Sequence, residues 1–442
     1  MSSRAVDKYL HGHAQPEAAA VSLRDAVDLQ HVLAVPAYDE RAEDFELLDR
    51  LPAGGRILAV VLVNDRDDSP PGVAERNRSF VSSMRSRYGP GRAVGAVASE
   101  HRTAFGGLLL MRRTADTLPL PAGEGVGLAR KLACDVALSL RARGQLAADV
   151  IHCTDADARL PLDYFGRVAP RADRPHAAVY PFRHVGRDGA LHRAGQLYEL
   201  SLRYYVLGLQ RAGSPYAMHT IGSTIAVSMT AYAAVRGFPR RHGAEDFYLL
   251  NKLAKVGPVE RLGGAPIELR DRVSNRIPFG TGPAVGRILE GEPRRFYHPR
   301  TFELLGDFLR GLSALARGGG APIALELLAS ALYPRLPAEL GLRLADASGI
   351  ESALVAAFAR GSEVGARSQH LHTWFDAFRT LKWVHAVRAS TLPELAPADA
   401  VAGLLGRSPG TLARDLESLR ALEDAECRGE AGAGCFDFSE VT

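Results

Sequence analysis

Val150-Ile151-His152-Cys153-Thr154-Asp155-Ala156-Asp157 is an apolar run of strand length that stops abruptly in two carboxylates. The same pattern occurs twice upstream: His31 to Val35 runs into Pro36-Ala37-Tyr38-Asp39-Glu40, and Ile57 to Val63 runs into Asn64-Asp65. Buried-strand runs with polar endings are the mark of an open α/β sheet, whose ligands bind beyond the carboxyl ends of the strands. The three endings are therefore expected to share one site.

Between them, Leu128, Leu132, Val136 and Leu140 predict a helix with a single apolar stripe. It opens on Gly123, Gly125 and Gly127, which lack the G-x-G-x-x-G spacing of a dinucleotide-binding turn and follow a Pro-rich loop, so a Rossmann dehydrogenase is excluded. Two readings of these glycines stay open: a plain loop-to-helix junction, or backbone N–H groups open to an anion at the helix start. Short β-rich runs alternate with helical patterns over 28–298, which predicts an α/β domain with a mostly parallel central sheet and helices on both faces. Residues 1–27 read as a polar, Ala-rich arm or short helix, and 299–442 as an α-helical C-terminal domain that Gly318-Gly319-Gly320 interrupts and that frays from Gly429. Within it, Gln369 to Arg388 reads as one aromatic amphipathic helix whose Trp374, Phe375, Phe378 and Trp383 suit core packing or a homodimer contact.

A chain of 442 residues has room for one large domain and a smaller unit. Its 46% apolar and 24% charged composition excludes disordered, collagen-like and coiled-coil classes. The net charge of +4 arises from dispersed basic and acidic residues, which argues against a nucleic-acid partner. Cys134, Cys153, Cys427 and Cys435 match neither a zinc ribbon nor a CxxC pair, so reduced thiols are expected. With no signal-peptide pattern and no apolar run of about 18 residues, the expectation is a cytoplasmic protein without an integral membrane segment.

The chemistry concentrates in acidic residues. Asp155 and Asp157 on a tight turn present hard oxygen ligands, which suit magnesium or manganese and not zinc. Such a divalent cation bridges diphosphate oxygens and neutralises charge on a nucleotide leaving group. Glu245-Asp246 precedes a helical pattern of Phe247, Leu249, Leu250 and Leu253 that ends before Gly257. Acidic residues there answer the helix dipole, or one of them deprotonates an attacking hydroxyl. In Ser274-Asn275-Arg276-Ile277-Pro278-Phe279-Gly280, Arg276 is a candidate phosphate clamp, and His298 a candidate imidazole ligand completing the metal shell. His219 reads as a structural histidine before a donor or acceptor contact.

Taken in order, Val35-Pro36-Ala37-Tyr38-Asp39-Glu40, Val63-Asn64-Asp65, Gly127-Leu128-Ala129-Arg130, Asp155-Ala156-Asp157, and Gly237-Phe238-Pro239 followed by Gly243-Ala244-Glu245-Asp246 resemble the GT-A fold of family 2 glycosyltransferases over roughly residues 30–290. The resemblance implies transfer of a sugar from a nucleotide-sugar donor to a small-molecule or glycan acceptor. It implies that Pro36, Ala37, Tyr38, Glu40 and Asp65 contact the nucleoside and Arg130 the donor. Asp157 would hold the metal, with Asp155 beside it near the ribose and sugar. Gly222 and Ser223 would line the sugar pocket, and Asp246 would be the general base with Glu245 as its neighbour. The segment Asn64-Asp65-Arg66-Asp67-Asp68 departs from the usual aspartate pair followed by Gly-Ser, and the Q-x-x-R-W signature of processive synthases is absent, which implies single-sugar transfer. Inversion is the leading stereochemistry. Retention, as in glucosyl-phosphoglycerate and mannosylglycerate synthases, which the chain resembles distantly, is an alternative, and a non-catalytic nucleotide-sugar-binding scaffold is another.

Overall fold

A computed structural model describes residues 3–24, 28–168, 176–187, 189–274, 280–318, 324–360 and 363–429. Arg276, Cys435 and the tail expected to fray lie outside these. The chain divides into two compact units, one of residues 1–192 and 220–286, the other of 193–219 and 287–442. The division thus falls earlier than the expected boundary after residue 298, and it assigns an internal segment to the second unit.

Strands of the first unit are β1 (His31–Ala37), β2 (Ile57–Asn64), β3 (Arg92–Val94), β4 (Ala98–Thr103), β5 (Gly106–Arg113), β6 (Val150–Cys153), β7 (Ala177–Val179), β8 (Phe182–Val185), β9 (Ile225–Ser228), β10 (Val259–Arg261) and β11 (Ile267–Arg270). Among the described residues they form a nine-stranded sheet, β10-β7-β9-β6-β1-β2-β5-β4-β3, and a separate β8–β11 pair. Every residue of β2 is buried, and all of β1 after His31, as continuous Val/Leu/Ile runs require of strands covered on both faces.

The α/β architecture is as expected, with a mostly parallel central sheet in which β4 and β9 run against the other strands. Its centre, β6-β1-β2-β5, is parallel, while β9 runs antiparallel to both β6 and β7, and β4 to β3 and β5. Two registers locate the site. Parallel pairing of Ala37 with Val63 and of Asn64 with Arg113 brings the endings of β1, β2 and β5 to one edge. Antiparallel pairing of Cys153 with Ile225 means that β9 begins where β6 ends, so Gly222-Ser223-Thr224 enters at that same edge.

Helix Val126–Ala142 buries nearly its whole length. The N–H of Gly127 donates to the Arg241 carbonyl at 3.1 Å, so the glycines form a loop-to-helix junction whose amide is already taken by the chain. The N-terminal segment is docked: Tyr9 from helix Ser3–Gly12 donates to Asp135 at 2.5 Å, and Tyr232 donates to the same carboxylate at 2.8 Å.

The second unit is helical around one core that includes Phe308, Tyr333, Phe375 and Trp383. The expected single helix over 369–388 is two, Val364–Trp374 and Ala377–Ser390, because Asp376 accepts from the N–H groups of Phe378 and Arg379 and starts a new helix. Phe375 and Trp383 pack inward and Phe378 is exposed. No helix among the described residues is long and apolar enough to cross a membrane.

A Cβ at Gly127 would lie 2.5 Å from the Pro239 carbonyl oxygen and 2.6 Å from that of Arg241, neither of which yields as a side-chain tip does. Gly127→Ala is therefore expected to lower stability by about 1–3 kcal/mol through overpacking, read from urea unfolding midpoints; a midpoint equal to the parent's would contradict this contact.

Candidate active site

Arg130, on the first turns of helix Val126–Ala142, organises the site. Its side chain is only 3% exposed, and three of its donors are used within the protein. Nη2 donates to Asp155 at 2.5 Å, Nε to Glu245 at 3.0 Å, and Nη1 to the Gly222 carbonyl at 2.9 Å. The approach requires glycine at 222, since a Cβ there would meet the guanidinium at 2.6 Å. Burial opposes the charge of Arg130, but Asp155 and then Glu245 more than offset it and hold the guanidinium protonated.

Glu245 and Asp246 are the first residues of helix Glu245–Leu253, which is entered through Ala244 in the left-handed region at φ 56°. A non-glycine residue held there is strained, as is common where a chain positions functional groups. Burial pushes the Glu245 carboxyl up, against the opposing pull of Arg130. Asp246 keeps partial solvent access and accepts from the Phe247 N–H at 2.7 Å. Burial, and then the adjacent Glu245, push it up to about 7.

A second arginine, Arg272, follows β11 and contacts Asp157 at 3.0 Å and Glu40 at 3.6 Å. It ties the ending of β1 to the turn after β6. Asp155 and Asp157 also act on it electrostatically together with Glu40, against the effect of burial. Five carboxyls, Glu40, Asp155, Asp157, Glu245 and Asp246, thus meet two guanidiniums, Arg130 and Arg272. The excess of acid and the all-oxygen donor set suit a hard divalent cation, Mg²⁺ or Mn²⁺. Among the described residues no group of three or more His, Cys, Asp or Glu side chains is arranged to hold a metal, so further ligands would come from phosphate oxygens or water, as is usual for magnesium.

The remaining expected residues divide. Pro36 and Ala37 are buried at the end of β1, and Tyr38 leaves it with Arg66 over its ring at 5.3 Å and its hydroxyl on Ser69 at 3.2 Å. Asp65 is buried, and its carboxylate accepts from Asn77 and from the Ala115 N–H at 2.9 Å, so it braces the end of β2. The hydroxyl oxygens of Ser223 and Thr154, at the facing ends of β9 and β6, are buried without a hydrogen-bond partner among the described residues, a state that polar groups in folded proteins rarely keep unless a ligand or water meets them. His298 belongs to the second unit, where it caps helix Pro299–Arg317 and its Nδ1 accepts from the Arg300 N–H at 3.2 Å. His219, also in the second unit, pairs with Glu423 at 2.9 Å.

Sequence reasoning missed Arg272 and its neighbour Asp271, which binds His192 at 2.6 Å. The available signal was weak: β11 alternates apolar and charged residues, Ile267-Glu268-Leu269-Arg270, and runs on into Asp271-Arg272.

No family model matches the chain, and no curated protein matches it. Among solved structures, the chain is similar to S. aureus TarS 1–349 in complex with UDP-GlcNAc, at 14% identity and a TM-score of 0.34, over 79% of this chain and 91% of that one. The UDP complex of the same protein gives 14%, 0.31, 78% and 89%, and the longer S. aureus TarS crystal structure 12%, 0.32, 78% and 54%. With identities and TM-scores this low, the residue assignments stand on this chain's own geometry.

Arg130→Met strands Glu245 in the interior without its counter-charge, and is expected to cost about 3–5 kcal/mol of stability. Glu245→Gln added to it should recover part of that loss, measured as the coupling in a denaturant double-mutant cycle; additive single effects would show that the pair is not energetically linked. For Asp246, the folded carboxyl at about 7 lies above the ordinary value of about 4. Between these values the folded state holds a proton that the unfolded chain has released, so stability falls as pH rises through the window and levels off above it. Asp246→Asn is expected to flatten the Tm–pH curve there, and an unchanged slope would exclude Asp246 as its source.

Proposed function

We propose that the chain is a GT-A-type glycosyltransferase that moves a single sugar from a nucleotide-diphosphate donor to an acceptor hydroxyl on a small molecule or glycan, with inversion at the anomeric carbon. One observation carries this reading: Arg130 joins Asp155, on the acidic turn after β6, to Glu245, the neighbour of a carboxyl poised near neutrality. A cation-suited turn and a proton acceptor thereby share one sheet edge, as displacement of a diphosphate by a hydroxyl requires.

In the proposed mechanism Asp246 is the general base. It takes the acceptor proton while the acceptor oxygen forms a bond to C1, and the bond from C1 to the diphosphate oxygen breaks on the opposite face. A group of pKa about 7 is well matched to this task, because it is largely ionised just above neutrality yet still basic enough to draw the proton. Glu245, held by Arg130, raises that proton affinity without meeting the reactants. Asp157, with Asp155, would hold Mg²⁺ or Mn²⁺, which when bound neutralises charge developing on the departing diphosphate. Arg272 keeps Asp157 and Glu40 oriented towards each other's turn. The unpartnered hydroxyls of Ser223 and Thr154 are suited to polar groups of the donor.

Incubation with a panel of nucleotide sugars, with and without Mn²⁺, tests the reading through release of nucleoside diphosphate, with product anomer determined by NMR. Metal-stimulated release from at least one donor and an inverted product are expected, and a retained anomer would overturn the direct displacement. With the same donor, Asp246→Asn should lower kcat by roughly 100- to 10,000-fold while remaining folded, and should abolish the acid limb of the kcat/KM–pH profile near 7.

A further inference from the structure

Helix Val73–Tyr88 and the end of β5 line an open pocket of about 490 Å³, a volume within the range of small-ligand sites. Arg85 on the helix and Arg112 on β5 both line it. The Nε of each is buried and has no hydrogen-bond partner, and neither side chain forms an ion pair among the described residues. Burial, and then the charge of Arg85, push the Arg112 guanidinium down against the opposing pull of Asp116. Asp116 is the one carboxylate of the lining, and it is already engaged by Arg78 at 3.2 Å. The hydroxyl residues Ser82, Ser86 and Thr114 complete the polar wall.

Two guanidinium N–H groups withdrawn from water without acceptors are costly, and costlier when their charges repel. The lining carries three arginines against one aspartate, a surplus that a dianion cancels. Guanidiniums beside hydroxyl donors match a phosphate group, which offers several acceptor oxygens to N–H forks. We infer that this pocket is a second anion site of the protein, which binds the dianionic phosphate of a small phosphomonoester or of free phosphate. Its lining includes none of the five carboxyls of the acidic edge. Asn77 also lines the pocket, and it donates to the carbonyl of Asn64 at 2.9 Å and accepts from the Asp39 N–H at 3.2 Å. An occupant would thus rest on the side chain that fastens the endings of β1 and β2.

The test is thermal melting of the full chain in inorganic phosphate and, separately, glucose 6-phosphate, each against sodium chloride at matched ionic strength. A saturable rise in Tm with both phosphates and none with chloride is expected. Arg85→Met and Arg112→Met should each abolish the rise and, without phosphate, melt no lower than the parent, because each removes a buried Nε–H that has no acceptor among the described residues. A rise with inorganic phosphate alone identifies the source as the free ion, and one with glucose 6-phosphate alone identifies the ester; either supports the site if the two variants lose it. Should the arginine variants fail to fold, Ser82→Glu places a fixed carboxylate in the pocket wall and should melt higher than the parent with no response to phosphate. The inference is overturned if neither phosphate raises Tm beyond chloride, if the rise survives in both arginine variants, or if Ser82→Glu responds as the parent does.

Discussion

A buried guanidinium must find acceptors for its N–H groups and a counter-charge, and the way Arg130 meets both demands determines the rest of the site. Its acceptors come from three separate parts of the chain: Asp155 after β6, the Gly222 carbonyl before β9, and Glu245 at a helix start. None of these can move away without stranding a polar group in the interior, which is why one side chain fixes the relative positions of three loops. Glycine at 222 follows from the same contact, because the guanidinium occupies the volume a side chain would need. The stability gained from such a buried pair is small after desolvation, so its consequence is geometric more than energetic.

That geometry sets the proton affinity beside it. Glu245 is committed to Arg130, and the next residue, Asp246, is left with a neighbouring carboxyl and a partly enclosed setting. Two adjacent carboxyls in one helical turn thereby acquire different roles: one is a partner of a fixed cation, the other a group that exchanges protons near neutrality. The helix dipole alone would stabilise both as anions and would not separate them.

Much of this was legible in the sequence, and what was not has a common cause. The strand endings, the helix carrying Arg130 and the start of the helix at Glu245 are local patterns of period and punctuation, and they stand within a residue or two of where the sequence places them. Strand direction is not local: nothing in Ile225–Ser228 distinguishes a strand antiparallel to β6 from a parallel one, and that direction brings Gly222 and Ser223 to the site. Pairings across long stretches of sequence escape for the same reason, as with Arg130 and Glu245 or Asp157 and Arg272. Asp65, a nucleoside contact by resemblance, also braces the end of β2 through Asn77 and the Ala115 N–H; only packing could reveal that second task.

Within this one unit, arginines are placed under two opposite charge regimes. At the acidic edge, Arg130 and Arg272 are outnumbered by carboxyls, and the surplus is negative, which suits a cation and the transfer of a proton. Between helix Val73–Tyr88 and β5, Arg78, Arg85 and Arg112 line one pocket with a single carboxylate, Asp116, and the surplus is positive. Folding alone explains the first arrangement, since each arginine there satisfies buried acceptors. It does not explain the second, in which the buried Nε atoms of two guanidiniums have no acceptor among the described residues. Asn77 stands between the two regions, bonded to the endings of β1 and β2 while lining the basic pocket.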